Sequence, residues 1–193
     1  FGQLDMKISI KTRIGKSEPE EFGRLLELYN QYPLEELIIH PRVQTDYYKN
    51  TPRMEIYKAA EAQSNHPLCY NGDLFTEGHY KRFMEQFPDT GAVMLGRGML
   101  VNPALVRQIQ GQGLLTKEEL QQFHNRLCSK YEEVMSGDNA VLFKMKELWF
   151  FMGNLFPDNK KYLKKIKKSQ HLEEYRQVAE SLFRDLEICI PGK

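Results

Sequence analysis

Four short apolar segments of the chain each end in residues that can bind an anion or exchange a proton. The residues concerned are 11–15, 40–42, 71–73 and 96–98. Ligands of parallel α/β proteins bind at the carboxyl ends of the strands. If the four segments are parallel strands, these residues lie along one rim, where they can form a single binding site.

The fourth of these strand ends favours a phosphate group. Gly96 and Gly98 allow the backbone to come close to an anion, and a short helix is predicted to begin near Asn102. A helix N-terminus presents unpaired N–H groups and a partial positive charge, which stabilise a phosphate. The guanidinium of Arg97 can add a bidentate contact.

The other three strand ends suit the rest of a phosphorylated, polyhydroxylated cofactor. Lys11 supplies a compact cation for an anionic or electron-rich ring position, and His40 can donate or accept a proton near neutral pH. Gly72 allows a tight turn from which the side chains of Asn71 and Asp73 can bond ribityl or sugar hydroxyls.

Each motif also has a purely structural interpretation. Residues 96–98 fit an ordinary βα turn, and residues 71–73 fit a plain turn. His40 alone fits a locally satisfied histidine, and Lys11 alone fits an internal ion pair. The occurrence of all four motifs at successive strand ends favours the binding site.

The hydrophobic pattern predicts the elements that must position these residues. Predicted strands at residues 6–14, 37–40, 67–71 and 92–95 alternate with helices that begin near residues 17, 51, 76 and 102. This alternation is typical of βαβ units and a parallel sheet. Ser17 and Glu20 have the spacing of a capping box for the first helix.

The pattern changes in the second part of the chain. Helical periodicity covers residues 116–136, 140–155 and 162–168, and a last apolar stripe runs from Leu172 to Phe183. Thr116 and Glu119 form a second capping box. We therefore predict two domains, residues 1–113 and 114–193, joined by a glycine-containing linker at residues 111–113.

The composition is that of an ordinary soluble globular protein. The 193 residues carry a formal net charge of +1, so the overall charge does not indicate a nucleic-acid partner. Apolar runs of about 18 uncharged residues are absent, so no membrane span is predicted. Cys69, Cys128 and Cys189 are widely spaced and odd in number. This pattern predicts neither a metal site nor a disulfide framework, and it fits a reducing cytoplasm.

Taken together, the strand-end motifs resemble those of a known family. In order and spacing, Lys-Thr-Arg-Ile-Gly at 11–15, Ile-Ile-His-Pro-Arg at 38–42, Asn-Gly-Asp at 71–73 and Met-Leu-Gly-Arg-Gly at 94–98 resemble the last four strand ends of tRNA-dihydrouridine synthases. Asn-Pro at 102–103 and the helical tail extend the resemblance over nearly the whole chain. It implies an α/β fold: the last four β/α units of a (β/α)8 TIM barrel, followed by an all-α helical bundle domain.

The resemblance implies flavin chemistry. The family reduces the 5,6 double bond of uridine in tRNA with bound FMN, which is itself reduced by NADPH. The implied cofactor-binding residues are Lys11 at the isoalloxazine, His40 beside it, Asn71, Gly72 and Asp73 along the ribityl and phosphate groups, and Gly96 and Arg97 at the phosphate. Arg13 and Arg42 are expected to face flavin or RNA. Pro41 stands where the family commonly has glycine, so we expect the loop after His40 to differ.

The same resemblance indicates what this chain lacks. No catalytic residue is predicted within it, because the cysteine that protonates the uracil carbon is expected upstream of Phe1. The chain starts without an initiator methionine, and we expect a longer parent protein. Four strands make an open half-barrel, so we also expect either the missing amino-terminal half or self-association through the open sheet edge. Cys69, inside a predicted strand, is interpreted as a small buried hydrophobe.

A lysine-rich part of the helical segment has a charge that the whole-chain total conceals. Residues 141–170 contain eight lysines against Glu147 and Asp158, a local charge of +6. Lysine–phosphate contacts contribute much of the affinity of proteins for nucleic acids. With the resemblance, we predict that tRNA contacts Lys160, Lys161, Lys164 and Lys165; a solvated helix face is the alternative. Trp149 is predicted to belong to the bundle core.

Functions of different classes remain compatible with these features. The first is a flavoenzyme that modifies tRNA. The second is a noncatalytic tRNA-binding fragment that has lost its flavin. A third, another FMN-dependent barrel oxidoreductase, shares the phosphate motif but gives no reason for the lysine-rich tail.

Overall fold

The chain forms two compact units. The computed structural model describes residues 5–190, so the start of the chain at Phe1 lies outside the described residues. The first unit comprises Phe1–Leu74 and Gly78–Gly96, and the second comprises Phe75–Glu77 and Arg97–Lys193. The predicted boundary after residue 113 falls inside the second unit, because Val101 and Ala104 already pack into the core of that unit.

The first unit is built on a four-stranded parallel sheet. Its strands are β1 (Ser9–Arg13), β2 (Glu36–His40), β3 (Leu68–Tyr70) and β4 (Ala92–Val93), and they are joined by α1 (Glu21–Tyr29), α2 (Met54–Gln63) and α3 (Glu77–Gln86). The spatial order is β1-β2-β3-β4 and every pairing is parallel. The α/β class is thereby confirmed. Consecutive order is the arrangement of barrel strands, whereas a doubly wound sheet reverses its order.

One face of this sheet packs against helices. The buried core combines Leu37, Ile39, Leu68 and Tyr70 of the strands with Phe22, Leu26, Tyr57, Ala60 and Phe83 of α1–α3. Successive side chains of a strand point to opposite faces. Lys11 and Arg13 of β1, Ile38 and His40 of β2, and Cys69 of β3 therefore lie on the other face, which is the inner face if the sheet belongs to a barrel.

The start of α1 differs from the capping box predicted from the sequence. Glu20 makes no side-chain cap, and Glu21 takes that role instead. The Glu21 carboxylate accepts hydrogen bonds from the backbone N–H groups of Lys16, Ser17 and Glu18. These bonds lower the pKa of Glu21.

The described part of the second unit is helical. Its helices are α4 (Arg97–Val101), α5 (Leu105–Ile109), α6 (Lys117–Val134), α7 (Asp138–Met152), α8 (Lys160–Lys168) and α9 (Leu172–Asp185). The predicted capping box of α6 is confirmed. Thr116 Oγ1 accepts from the Glu119 N–H at 3.2 Å, and Glu119 Oε2 accepts from the Thr116 N–H at 3.0 Å.

A buried polar network lies in the core of this unit. The Tyr175 hydroxyl accepts from Trp149 Nε1 at 2.8 Å and hydrogen bonds to Nε2 of His124. Trp149 is 2% exposed, so the prediction that it belongs to the bundle core is confirmed. Burial lowers the pKa of His124 to about 4, which keeps the imidazole neutral. Among residues 5–190, no helix is both long enough and apolar enough to cross a lipid bilayer.

Candidate functional site

Lys11, His40 and Asn71 lie in or just after three neighbouring strands, β1, β2 and β3, towards the carboxyl ends of those strands. In the parallel register, Lys11 is opposite Ile38 and Arg13 is opposite His40. The Asn71 N–H donates to the Ile39 carbonyl at 2.9 Å, which extends the ladder beyond β3. The Asn71 amide donates in turn to the Met94 carbonyl at 2.8 Å. Three of the four predicted strand ends therefore adjoin one another within the first unit.

His40 is a buried, neutral imidazole in cationic surroundings. The residue is only 5% exposed to solvent. Burial lowers its pKa to about 4, and the nearby charges of Arg13, Arg42 and Lys11 act in the same direction. Nη1 of Arg42 donates to Nε2 of His40 at 3.1 Å. Because Nε2 accepts this bond, the ring proton is assigned to Nδ1.

Arg42 is the centre of this cluster and is almost fully buried. Its guanidinium forms a bidentate ion pair with Asp73, with Nη1 donating to Oδ1 at 2.9 Å and Nη2 donating to Oδ2. Nε donates to the Asn50 carbonyl. Only 2% of the side chain is exposed, and its donors are engaged within the protein, so the expectation that Arg42 faces flavin or RNA stays a prediction. In the structure, Arg42 positions His40 and Asp73.

The loop after β2 contains polar contacts that sequence reasoning missed. The carboxylate of Asp46, itself 6% exposed, accepts from the Val43 N–H at 3.0 Å and pairs with Arg53. The Arg53 hydrogen bond is the largest cause of an Asp46 pKa lowered to about 2. The Arg53 N–H donates to the Pro41 carbonyl at 2.7 Å. The sequence signal for these contacts was the grouping of one acidic residue and two arginines within residues 42–53.

Arg13 also fastens this loop to the sheet. Its guanidinium donates to the Val43 carbonyl at 2.8 Å and to the Tyr47 carbonyl at 3.1 Å. It also lies over the Tyr48 ring, 5.5 Å from the centroid. The Tyr48 ring centroid is 6.1 Å from that of His40. Arg13, predicted to face flavin or RNA, therefore holds the loop after β2 against the sheet beside the His40–Arg42 cluster.

The two strand-end glycines, Gly72 and Gly96, differ in whether a side chain would fit at their positions. At Gly72 a Cβ atom would overlap the Tyr70 phenol, so the absence of a side chain there serves core packing. At Gly96, apart from the glycine itself and its two chain neighbours, no atom lies within 4 Å of the position that a Cβ would occupy. The space beside Gly96 is therefore open to an approaching group, as a phosphate-binding turn requires.

The segment after β4 departs from the sequence prediction. The helix expected to begin near Asn102 is α5, and a further helix that was not predicted, α4, begins at Arg97 and includes Gly98. Asn102 is buried and its Oδ1 accepts from the Ala104 N–H at 2.9 Å, just ahead of α5. Arg97 belongs to the second unit, where its guanidinium lies 5.2 Å from the centroid of the Phe75 ring.

The remaining predicted residues are placed as follows. Cys69 is 4% exposed, and burial raises the pKa of its thiol to about 11, which confirms the interpretation of a small buried hydrophobe. The residues predicted to contact RNA on α8, Lys160, Lys161, Lys164 and Lys165, are all exposed, while Tyr162 and Ile166 of the same helix are buried. Within residues 5–190, no three His, Cys, Asp or Glu side chains gather as a metal site would require.

The residues of the first unit fit an anionic, planar cofactor. The exposed Lys11 and the partly exposed Arg13 supply positive charge on the face of the sheet away from the helices. His40 supplies a neutral ring with one N–H, and Gly96 leaves its backbone accessible. This donor set can bind an anionic group beside a planar ring. It defines a parallel α/β protein with a cationic site at its strand ends.

Comparisons with known proteins identify the family. The sequence model described as dihydrouridine synthase (Dus) matches residues 2–188, and the chain therefore belongs to the dihydrouridine synthase family. The chain is 25% identical over 153 residues to tRNA-dihydrouridine synthase B of Pasteurella multocida, which covers 78% of this chain and 42% of that protein. It is 25% identical over 108 residues to tRNA-dihydrouridine synthase B of Shewanella oneidensis, covering 55% of this chain and 33% of that protein. The chain thus matches less than half the length of these relatives, and the resemblance inferred from the strand ends is confirmed.

Proposed function

We propose that this chain is the carboxyl-terminal half of an FMN-dependent tRNA-dihydrouridine synthase, a cytoplasmic enzyme that reduces uridine in tRNA with NADPH as the reductant. The observation that carries the proposal is the cationic cluster of Lys11, Arg13 and Arg42 around the neutral His40. The family membership and the names of the two bacterial relatives support it.

The sheet supports the proposal that the first unit is half of a TIM barrel. Strands β1 and β4 form the two edges of a consecutive parallel sheet, and a closed barrel of this kind has eight strands. The other four strands would come from an upstream segment of the same polypeptide or from a partner chain. The general acid for the uracil carbon would come from the same source, because the thiol of Cys69 is buried and protonated.

The residues of this chain would bind and orient the reactants. FMN, when bound, supplies the hydride for the uracil ring. Lys11 places a cation where negative charge on the isoalloxazine is stabilised. His40 offers its Nδ1–H as a donor, since Nε2 accepts from Arg42. Arg42 and Asp73 keep the imidazole in that orientation, and Asn71 and Gly72 border the ribityl chain.

The phosphate end of FMN would lie beyond β4. The backbone at Gly96 is open, and the guanidinium of Arg97 follows directly in the sequence. Arginine forms bidentate hydrogen bonds with phosphate oxygens, which gives both strength and orientation.

The main alternative is a noncatalytic tRNA-binding protein. The exposed lysine face of α8 supports RNA binding and does not depend on a flavin. Another FMN-dependent barrel oxidoreductase would use the same strand ends, but such an enzyme has no need of this lysine face.

A flavin titration and a tRNA reduction assay test the proposal. We expect the protein that combines this chain with the other four strands and the general acid to bind FMN with the visible absorbance of an oxidised flavin. The same protein should form dihydrouridine in tRNA when NADPH is added. Lys11→Ala should lower turnover by about 10²-fold. Lys7→Ala is the matched control, since Lys7 is 79% exposed and pairs with Glu35 at the surface. Binding of tRNA without any binding of FMN would favour the noncatalytic alternative.

A further inference from the structure

Two phenylalanines of α7 are exposed and do not belong to the hydrophobic core of the second unit. Phe143 is 68% exposed and Phe150 is 76% exposed, although both belong to a helix with six buried residues. They are seven residues apart, which places them on the same face of the helix. Single exposed apolar side chains are common, but two large rings around one depression indicate an interaction site.

The depression between α7 and α8 is called here the phenylalanine groove. It has a volume of about 650 Å³ and is lined by Phe143, Phe150, Phe151, Leu163, Lys146 and Lys167, among others. Buried Trp149 and Ile166 form its floor. Phe151 meets Phe150 edge to face, with ring centroids 5.1 Å apart and an interplanar angle of 88°. This contact supports the Phe150 ring, which remains 76% exposed.

The rim of the groove is cationic. The Lys146 ammonium donates to the Ser169 carbonyl at 2.6 Å, which fixes its position beside the end of α8. Lys167 is exposed at the same edge. The acid at the groove, Glu147, is paired with Lys144 at 3.3 Å. A ligand that complements this surface needs flat apolar groups for the rings and negative charge for the lysines.

We propose that the phenylalanine groove binds unpaired nucleotides of RNA, with a base stacked on Phe150 or Phe143 and its phosphates on Lys146 and Lys167. Surfaces for single-stranded nucleic acids combine aromatic stacking with a positively charged track in this way. The inference rests on the proposed function in taking RNA as the ligand. It adds a stacking site to the backbone contacts expected of the α8 lysines.

The charge distribution favours RNA over two other occupants. Beyond the groove, α8 presents six exposed lysines along nine residues, a longer track than a short acidic helix of a partner protein would match. A second copy docked by two-fold symmetry would bring this same lysine face against itself, which like-charge repulsion opposes.

The test uses a short single-stranded oligoribonucleotide that contains 2-aminopurine, whose fluorescence is quenched on stacking. We expect the protein to quench the probe, and Phe143→Ala with Phe150→Ala to weaken its binding about 5- to 100-fold, the range for loss of one stacked base. Phe150→Trp should retain binding. Val134→Ala is the matched control, because Val134 is equally exposed on α6 and does not line the groove.

The outcomes separate this inference from the proposed function. Unchanged probe binding by the double variant, with uridine reduction intact in the unmodified protein, would overturn the stacking site alone. Quenching that depends on Phe150, in a protein that neither binds FMN nor reduces tRNA, would support the site and count against the enzyme. An acidic amphipathic peptide that binds the groove more tightly than the oligonucleotide, and only when Phe150 is present, would overturn RNA as its occupant.

Discussion

Nη1 of Arg42 lies 3.1 Å from Nε2 of His40, while the same guanidinium holds both carboxylate oxygens of Asp73. The imidazole is thereby joined to a buried ion pair whose acid comes from a different strand end, 31 residues along the chain from Arg42. The orientation of His40 depends on that pair. The stability of the first unit and the geometry of its site are therefore coupled.

Asp73→Asn is expected to destabilise the protein strongly. The variant leaves the guanidinium of Arg42 buried without its carboxylate, and removing one partner of a buried pair costs on the order of 3 kcal/mol. Urea unfolding of the flavin-free protein measures the loss. Glu35→Gln is the matched control, because its partner Lys7 is exposed and such surface pairs contribute less than about 1 kcal/mol. Equal losses in the two variants would contradict the role given to Arg42.

The imidazole of His40 should stay neutral until the pH falls to about 4. An NMR titration of its ring protons measures this pKa directly. Arg42→Met should raise the pKa, because one neighbouring cation is lost, but should leave it below 6.5, because burial is the largest cause of the shift. Arg24→Met, an exposed arginine of α1, should leave the pKa unchanged. A His40 that titrates near 6.5 in the unmodified protein would refute the cluster.

The unfolding free energy should fall as the pH is lowered from 6.5 towards 4. His40 and His124 both have lowered pKa values, so the unfolded chain takes up protons in this range while the folded chain does not. Each histidine contributes a slope of up to about 1.4 kcal/mol per pH unit. Denaturant unfolding between pH 6.5 and 5 checks this, and His124→Gln should remove one histidine's share. An unchanged slope in that variant would rule out the contribution of His124.

Gly72→Ala and Gly96→Ala should separate packing from binding. A Cβ at residue 72 overlaps the Tyr70 phenol, and such overpacking costs about 1–3 kcal/mol. A Cβ at residue 96 meets open space, so stability should be unchanged. If Gly96 borders the FMN phosphate, Gly96→Ala should weaken FMN binding without weakening the fold. Thermal unfolding and FMN titration of both variants give the comparison, and unaltered FMN affinity would exclude Gly96 from the phosphate site.

Charge reversal on α8 should reduce both tRNA affinity and its salt dependence. Lys160→Glu with Lys161→Glu, and Lys164→Glu with Lys165→Glu, each remove two expected phosphate contacts. The slope of log affinity against log salt should become shallower by about 1.5 for each pair. Lys58→Glu with Lys130→Glu, two exposed lysines of other helices, is the matched control. Identical slopes for the α8 pairs and the control would show that the lysine face is only solvated.

The strands of the first unit and the helices between them were predictable to within a few residues. Burial of Leu26 follows from helical apolar spacing in α1, and burial of Ile39 follows from the continuous apolar run at residues 37–39. The pairing of Arg42 with Asp73 was missed because it depends on the register between β2 and β3. Ile39 is opposite Tyr70, and each charged residue lies three positions further on. The sequence signal for this ion pair was that Arg42 and Asp73 have opposite charges and occupy matched positions after adjacent strands.

The loop after β2 has a consequence for how substrates are selected. Arg13, Arg42, Asp46 and Arg53 fasten it to the sheet and to itself within the protein alone. A rim held in this way is preorganised, so binding next to it incurs little additional entropic cost of ordering the loop. Ligands at this rim would then be selected by how well they fit a preformed loop conformation. A ligand that requires the loop to move would have to break ion pairs that also stabilise the fold.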